Sequence, residues 1–266
     1  MNNIKQTLIR LLPDCLFLLY KGYGWYGDFR CWEEAKKITE GYESDNILQT
    51  VKESSLKVKN GEAVYERDSV LFDKIEYTWE VLSALLWIAA QNKGSLNVID
   101  FGGSLGSTYY QNKDFLDKIP HVLWNIVEQP NFVKEGKVSF ENDRLKFYFS
   151  IQECIENSPQ PVDIILLSGV LPYIEDPYDL LTKIINKKFP YILIDRTGFT
   201  LNNRDRLTVQ KVPSSIYKAS YPSWFLGEEK FRHFFKSNGY SLVMDFEALD
   251  VVNIPSKYKG FLYKLG

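Results

Sequence analysis

The sequence predicts an α/β fold: a doubly wound sheet of about seven strands, mostly parallel, with an antiparallel C-terminal strand pair and an N-terminal helical cap. Three observations predict it. Beyond residue 91, short apolar runs alternate with stretches of helical periodicity, the pattern of parallel strands joined by helical crossovers. Near residue 240 the alternation stops, and two final apolar runs follow without a helix between them, so they should pair antiparallel. Before residue 91 the apolar residues fall mostly at helix-like spacing instead.

The chain starts with LIRLLPDCLFLLY (8–20), an apolar stretch broken by Arg10, Pro13 and Asp14. It is too short to span a bilayer and has no uninterrupted signal-peptide core, so it reads as a helix buried or facing a partner. Gly22, Gly24 and Gly27 alternate with Tyr23, Trp25 and Tyr26 and read as a loop. Helices are expected over 32–38, 44–58 and 69–91. Strands are expected at LNVIDF (96–101), VLWNIV (122–127), LKFYF (145–149), VDIILL (162–167) and YILID (191–195), with helices over about 106–118, 129–137, 151–157 and 177–187. The continuous apolar character of VIDF and DIILL suits strands covered on both faces. A helix over 227–240 precedes the last two strands, 240–247 and 258–264. Residues 1–90 thus form the expected cap and 91–266 the sheet domain, with 196–226 inserted near its ligand-facing end.

The 266 residues carry 32 Lys and Arg against 34 Asp and Glu, a net charge of −2. That excludes a general nucleic-acid binder, which needs a basic surface to displace counterions. The three cysteines, Cys15, Cys31 and Cys154, form no CxxC pair, and HExxH is absent. No disulfide framework and no metal site is expected, and the thiols suit a reducing cytoplasm.

Three segments carry chemistry. In VIDFGGSLG (98–106) a buried strand ends at Asp100, and Gly102, Gly103 and Gly106 let the chain turn sharply toward a helix and approach a ligand closely. Glu128 closes the second strand, 22 residues after Gly106, where a carboxylate can accept hydrogen bonds from both hydroxyls of a ribose. In SGVLPYIEDP (168–177) the fourth strand ends at Ser168, Gly169 and Val170, and Asp176-Pro177 has the cap-and-first-turn chemistry of a helix start. The first two have plainer readings: a turn without ligand and a solvated strand-end charge.

Taken together these segments resemble the S-adenosylmethionine-dependent methyltransferases of the Rossmann-like class. Asp100, Gly102, Gly103, Ser104 and Gly106 are similar to its acidic, glycine-rich first motif, Glu128 to its ribose-binding acid, and SGVLPYIEDP to the segment that passes the cofactor. The order of WEEA, ERD, DFGGSLG, LSGVLPYI, DRT and YPSWF over about 30–245 more narrowly resembles uncharacterised methyltransferases often encoded with bacterial surface-polysaccharide genes. The resemblance implies S-adenosyl-L-methionine as cofactor, held by those residues with Ser168, Gly169 and Val170. It implies a cytoplasmic enzyme acting on a small-molecule or carrier-linked glycan acceptor, O-methylating a sugar or a phosphate-type group. Serine at 104 departs from the motif, which usually has glycine there.

That serine also completes G-x-S-x-G, the nucleophile elbow of α/β-hydrolases, and Asp195 and His233 follow in triad order. Against a hydrolase, the region before the elbow lacks strands, no HGGG segment is present, and Glu128 would have no role. A nicotinamide dehydrogenase fits less well, because GxGxxG would need glycine at 104 and 107. A non-catalytic module that kept a nucleotide-binding fold is the third reading. For methyl transfer to oxygen a general base is wanted, and Asp195 and Tyr173 are the catalytic candidates. Arg196, Tyr221 and Trp224 are candidates for the acceptor site, and Glu66-Arg67-Asp68 is either a solvated charge cluster or a clamp.

Overall fold

A computed structural model describes residues 23–39, 45–213, 219–248, 250 and 252–266. The apolar stretch at 8–20, Cys15 and Gly22 lie outside them. The described elements are β1 (Gly24–Phe29), α1 (Trp32–Lys36), α2 (Asp45–Lys59), β2 (Tyr65–Arg67), β3 (Val70–Phe72), α3 (Trp79–Gln91) and β4 (Ser95–Phe101). There follow α4 (Ser107–Gln111), α5 (Lys113–Leu116), β5 (His121–Val127), α6 (Pro130–Ser139), β6 (Leu145–Tyr148), α7 (Ile151–Asn157), β7 (Ile164–Ser168) and α8 (Pro177–Ile185). The chain ends with β8 (Tyr191–Thr200), β9 (Arg206–Lys211), β10 (Ser220–Phe225), α9 (Glu228–Ser237), β11 (Tyr240–Glu247) and β12 (Ser256–Leu265).

Seven strands form the main sheet in the order β11-β12-β8-β7-β4-β5-β6. The pairs β4–β5, β4–β7, β5–β6 and β7–β8 are parallel, whereas β12 pairs antiparallel with both β8 and β11. This is the doubly wound Rossmann-like sheet with its antiparallel C-terminal pair. Strand alternation splits the core in two. Val98, Leu166 and Leu193 point into one cluster with α3 and α6; Ile99, Ile165, Leu167, Ile192 and Ile194 point into the other with α8 and α9. Both faces are therefore covered, as the apolar runs required. The expected start of α8 holds: Asp176 Oδ1 accepts the Asp179 N–H at 2.9 Å, and Pro177 occupies the first turn.

The region before residue 91 differs from the sequence expectation at two places. The alternation of glycine and aromatics is strand β1, not a loop. It pairs antiparallel with β9, and β9 with β10, in a separate three-stranded sheet. Its partner strand lies some 180 residues away, inside the insertion, so local pattern alone did not disclose the pairing. Asn253 completes the exposed edge, its side chain accepting from the Trp25 N–H at 2.7 Å and donating to the Trp25 carbonyl at 3.0 Å. The expected helix over 69–91 begins only at Trp79. Before it, β2 and β3 form a hairpin whose two turn residues, Asp68 and Ser69, both take positive φ, 51° and 68°. That is the mirror-image turn that matches strand twist, here built without glycine.

At the heart of the sheet, Trp124 is fully buried and donates its indole N–H to Asp100 Oδ2 at 3.0 Å. Asp100 Oδ1 is buried without a partner. Burial, which the indole bond opposes and nearby Glu128 reinforces, pushes the Asp100 carboxyl up to about 7. An unfolded aspartate ionises near 3.8. Between these two values the folded chain holds the extra proton, so stability falls as pH rises through that window. Urea unfolding from pH 4 to 8 should show this decline, and Asp100→Asn should flatten it. A wild-type profile that rises with pH across the window would contradict the assignment unless another group outweighs it, which the Asp100→Asn difference isolates.

Candidate functional site

The strand order reverses direction at β4: β5 and β6 lie to one side of it, β7 and β8 to the other. Open α/β sheets bind ligands in the crevice at such a point, beyond the carboxyl ends of the strands. Here the chain leaves β4 through a tight turn. Gly102 has φ +73°, and a Cβ on it would lie 2.5 Å from Val170 Cγ2, on the segment that leaves β7. A Cβ on Gly103 would lie 2.5 Å from the Asp100 carboxyl carbon. Ser104 takes φ +54°, the left-handed region where glycine is at ease and other residues are strained.

A cavity of about 1160 Å³ opens over this turn. Gly102, Ser104, Glu128, Ser168, Gly169 and Val170 all line it, so three segments far apart in sequence converge as expected. Asp100, Gly103 and Gly106 do not line it; they shape the turn from behind. The Gly106 N–H donates to the Gly103 carbonyl at 3.0 Å and closes the turn before α4. Glu128 accepts the Gln129 N–H with Oε2, and burial raises its carboxyl above the usual range. Beside it stand Pro130 and Phe149, whose ring is 46% exposed and stacks under Lys137 at 4.9 Å. Phe149 escaped the sequence reading because one aromatic at a strand end carries no local signal.

The other half of the cavity is walled by Trp25 of β1, Trp32 of α1, Tyr173, Tyr221 of β10 and Tyr258 of β12. Tyr173 donates to Gln210 Oε1 at 2.7 Å and meets Tyr221 edge-to-face at 5.1 Å. Trp224 does not line the cavity. It stands three residues from Tyr221 on the same strand, hence on the opposite face. There it packs with Leu207 and Val209 and donates its indole N–H to the Glu175 carbonyl at 3.2 Å.

Asp195 likewise sits beneath the surface, 2% exposed, behind Ser168. Parallel pairing of β7 and β8 sets the two residues side by side, and Ser168 Oγ donates to Asp195 Oδ2 at 3.1 Å. Burial, opposed by Arg196 and the Ser168 hydroxyl, pushes the Asp195 carboxyl up to about 6. Arg196 reaches the cavity through a β-bulge: Asp195 and Arg196 together face Gly260 of β12, and Arg196 takes φ +51°. Bulges re-aim side chains in this way. Its guanidinium bonds Asp68 at 2.9 Å and Asp250 at 3.1 Å. Burial alone would lower the Arg196 pKa, but the carboxylates, Asp68 first, hold it well above the ordinary value.

The ERD cluster is thus divided. Arg67 pairs with Glu76 at 3.6 Å, while Glu66 and Asp68 line the cavity. Glu66 is 3% exposed, accepts from Ser107 Oγ and from the Ser69 N–H, and burial raises its carboxyl. The hairpin therefore spans the cavity, anchored by Glu66 beside the glycine turn and by Asp68 on Arg196. Sequence reasoning passed over Ser107 and Asp250 because their roles exist only across long separations.

The Ser104, Asp195 and His233 of a hydrolase are not assembled. Asp195 bonds Ser168, and His233 lies exposed on α9 with Nε2 3.1 Å from Ser237 Oγ. Among the described residues, no group of His, Cys, Asp and Glu is arranged to hold a metal ion, and no helix is long and apolar enough to cross a membrane.

No protein-family model and no curated protein matches the chain. Solved structures do. They include magnesium protoporphyrin IX methyltransferase from Synechocystis PCC 6803 with bound SAM, at 12% identity over 96% of this chain and 99% of that one, TM-score 0.45. A SAM-dependent methyltransferase from Clostridium acetobutylicum matches at 13% identity over 72% and 93%, TM-score 0.45. An amino pentose methyltransferase from Micromonospora echinaspora, with SAM bound, matches at 10% identity over 70% and 90%, TM-score 0.46. At these identities and scores the likeness decides neither activity nor substrate.

Arg196→Ala leaves Asp68 and Asp250 without their shared cation. Because Asp68 keeps 60% of its side chain exposed, solvent screens part of the loss. Urea unfolding should show a destabilisation of about 1–2 kcal/mol, with faster proteolysis in the hairpin at 65–72. Arg196→Lys should recover only part, since lysine lacks the fork that engages both carboxylates. Unchanged stability and proteolysis would show that the hairpin is held elsewhere.

Proposed function

We propose that this protein is an S-adenosylmethionine-dependent methyltransferase that O-methylates a sugar hydroxyl. One observation carries the reading: Glu128, the glycine turn and Ser168–Val170 face one cavity at the switch point of a Rossmann-like sheet. The residues suit the cofactor. The Gly102 turn lets backbone approach where any side chain would collide with Val170. Glu128 uses a local bond on one oxygen only, so its carboxylate retains capacity for a diol. Phe149 offers an aromatic face for a base, and Ser104 and Ser107 offer hydroxyls near the turn. When bound, S-adenosylmethionine supplies a methyl group on a sulfonium, which an acceptor oxygen takes with its lone pair while the carbon–sulfur pair stays on sulfur.

The acceptor side supports a neutral polyol over a phosphate. Among the described residues, five carboxylates line the cavity, from Glu66, Asp68, Glu128, Glu175 and Asp250, against two cations, Lys36 and Arg196. Arg196 is engaged by two of those carboxylates, so it serves the hairpin before it serves an anion. Trp25, Trp32, Tyr173 and Tyr221 provide the flat faces on which sugar rings stack. That Tyr173 lines the cavity supports a role for it against the acceptor, and the bond from Ser168 to Asp195 supports a role for Asp195 through Ser168. Residues 1–90 supply Trp25, Trp32, Glu66 and Asp68, which supports the reading of this region as a cap that closes the acceptor site. The setting we propose is cytoplasmic synthesis of a surface glycan, with the acceptor free or carrier-linked; the unpaired Cys31 and Cys154 accord with that compartment.

Calorimetry with S-adenosylhomocysteine tests the cofactor assignment. The wild type should bind one equivalent. Glu128→Ala should weaken binding by about 1–3 kcal/mol, the worth of charge-assisted hydrogen bonds to the ribose. Gly102→Val should abolish it by collision with Val170. A folded wild type that binds neither S-adenosylmethionine nor its demethylated product would end the methyltransferase reading.

A further inference from the structure

Asp195 is an unusual carboxyl group for a merely structural one. It is 2% exposed, its Oδ1 is buried without a hydrogen-bond partner, and its Oδ2 has a single side-chain donor, Ser168. A buried aspartate without its full set of partners is costly, and such cost is tolerated where a group has work to do. Ser168 lines the cavity directly. It ends β7 next to Gly169 and Val170, the segment that closes on the glycine turn. The hydroxyl therefore connects the cavity to a carboxyl group that the cavity does not touch.

From this we propose that Ser168 and Asp195 form a two-step proton relay for the acceptor hydroxyl, Ser168 as the catalytic contact and Asp195 as the positioning residue and final proton acceptor. The inference rests on the methyl-transfer reading above. The acceptor hydroxyl donates to Ser168 Oγ while Ser168 donates its own hydrogen to Asp195 Oδ2. As the acceptor oxygen commits its lone pair to the methyl carbon, its proton passes to Ser168 Oγ and the Ser168 proton passes to Asp195. Serine ends as it began, Asp195 ends neutral, and water later restores the carboxylate. No oxidant, metal or further reactant is needed.

The surroundings set the pH at which the relay operates. Burial raises the Asp195 carboxyl to about 6, while the charged groups acting on it are Arg196, adjacent on β8 and opposing the rise, and Asp250, from the connection before β12 and adding to it. Arg196 is fixed by Asp68 and Asp250, so its effect on Asp195 is built into the fold. The carboxyl is then mostly ionised, and able to accept, at neutral pH, yet close enough to neutrality to take a proton.

Sinefungin tests the relay by binding rather than by turnover, because a carbon replaces its sulfonium sulfur and an ammonium group stands where the transferable methyl would be. Calorimetry should compare it with S-adenosylhomocysteine, which has nothing at that position, from pH 5 to pH 7.5. In the wild type the ratio of sinefungin to S-adenosylhomocysteine affinity should rise roughly tenfold as Asp195 ionises behind Ser168. Asp195→Asn should remove most of the rise while leaving S-adenosylhomocysteine affinity near the wild-type value, and Ser168→Ala should flatten the ratio as well, any loss common to both ligands cancelling in it. Glu66 and Glu128 also face the cavity, and a rise that survives in Asp195→Asn would assign it to them and overturn the relay. A flat wild-type ratio would overturn it as well. Failure of S-adenosylhomocysteine to bind the wild type would instead overturn the methyl-transfer reading beneath it.

Discussion

Two backbone segments meet at the carboxyl edge of the sheet only because residue 102 has no side chain. A Cβ there would stand 2.5 Å from Val170, well inside contact distance. The chain leaving β4 and the chain leaving β7 thereby close against each other, and the cavity opens above their junction. Asp100 follows from the same constraint. Its carboxyl packs against Gly103, is tied to the buried indole of Trp124, and pays for that position with a pKa moved up to about 7. The turn is thus held from beneath by the sheet and from the side by Val170.

What surrounds the cavity divides by origin. The parallel strands contribute the glycine turn, Glu128 and Ser168, each at a strand end and each fixed by main-sheet pairing. Other walls come from pieces distant in sequence, among them β1, α1, β10, β12, the β2–β3 hairpin and the bulged part of β8. Arg196 ties several of these together, since it joins the hairpin through Asp68 and the connection before β12 through Asp250. A residue that first looks like an anion receptor is, by its partners, a brace. Among the described residues the charge that remains over the cavity is negative, which under the proposed function would suit a cationic donor and a neutral acceptor.

The strand ends were legible in the sequence because their signals are local. A buried apolar run followed by Gly102-Gly103, an acid closing the next run, and Asp176-Pro177 before a helix each express a rule acting within ten residues. The main-sheet strands accordingly fell within a few residues of their expected bounds, apart from β8. That strand runs on to Thr200 because β12 continues to pair with it beyond the bulge. The walls were not legible. Strand β1 reads as a loop because its partner lies across the chain, and β3 reads as the start of a helix because Asp68 and Ser69 make a positive-φ turn without glycine. Trp224 and Tyr221 looked equivalent in YPSWF until the pleat put them on opposite faces. Asp195 stands out in the sequence only by its strand-end position, and parallel register sets it beside Ser168, which lines the cavity.

A crystal structure of the wild-type protein with S-adenosylhomocysteine tests the central claim most directly. The adenosine ribose hydroxyls should lie within hydrogen-bond distance of the Glu128 carboxylate, the adenine against Phe149, and the thioether sulfur facing Ser168. S-adenosylhomocysteine bound with its ribose away from Glu128, or outside the cavity over the Gly102 turn, would contradict it.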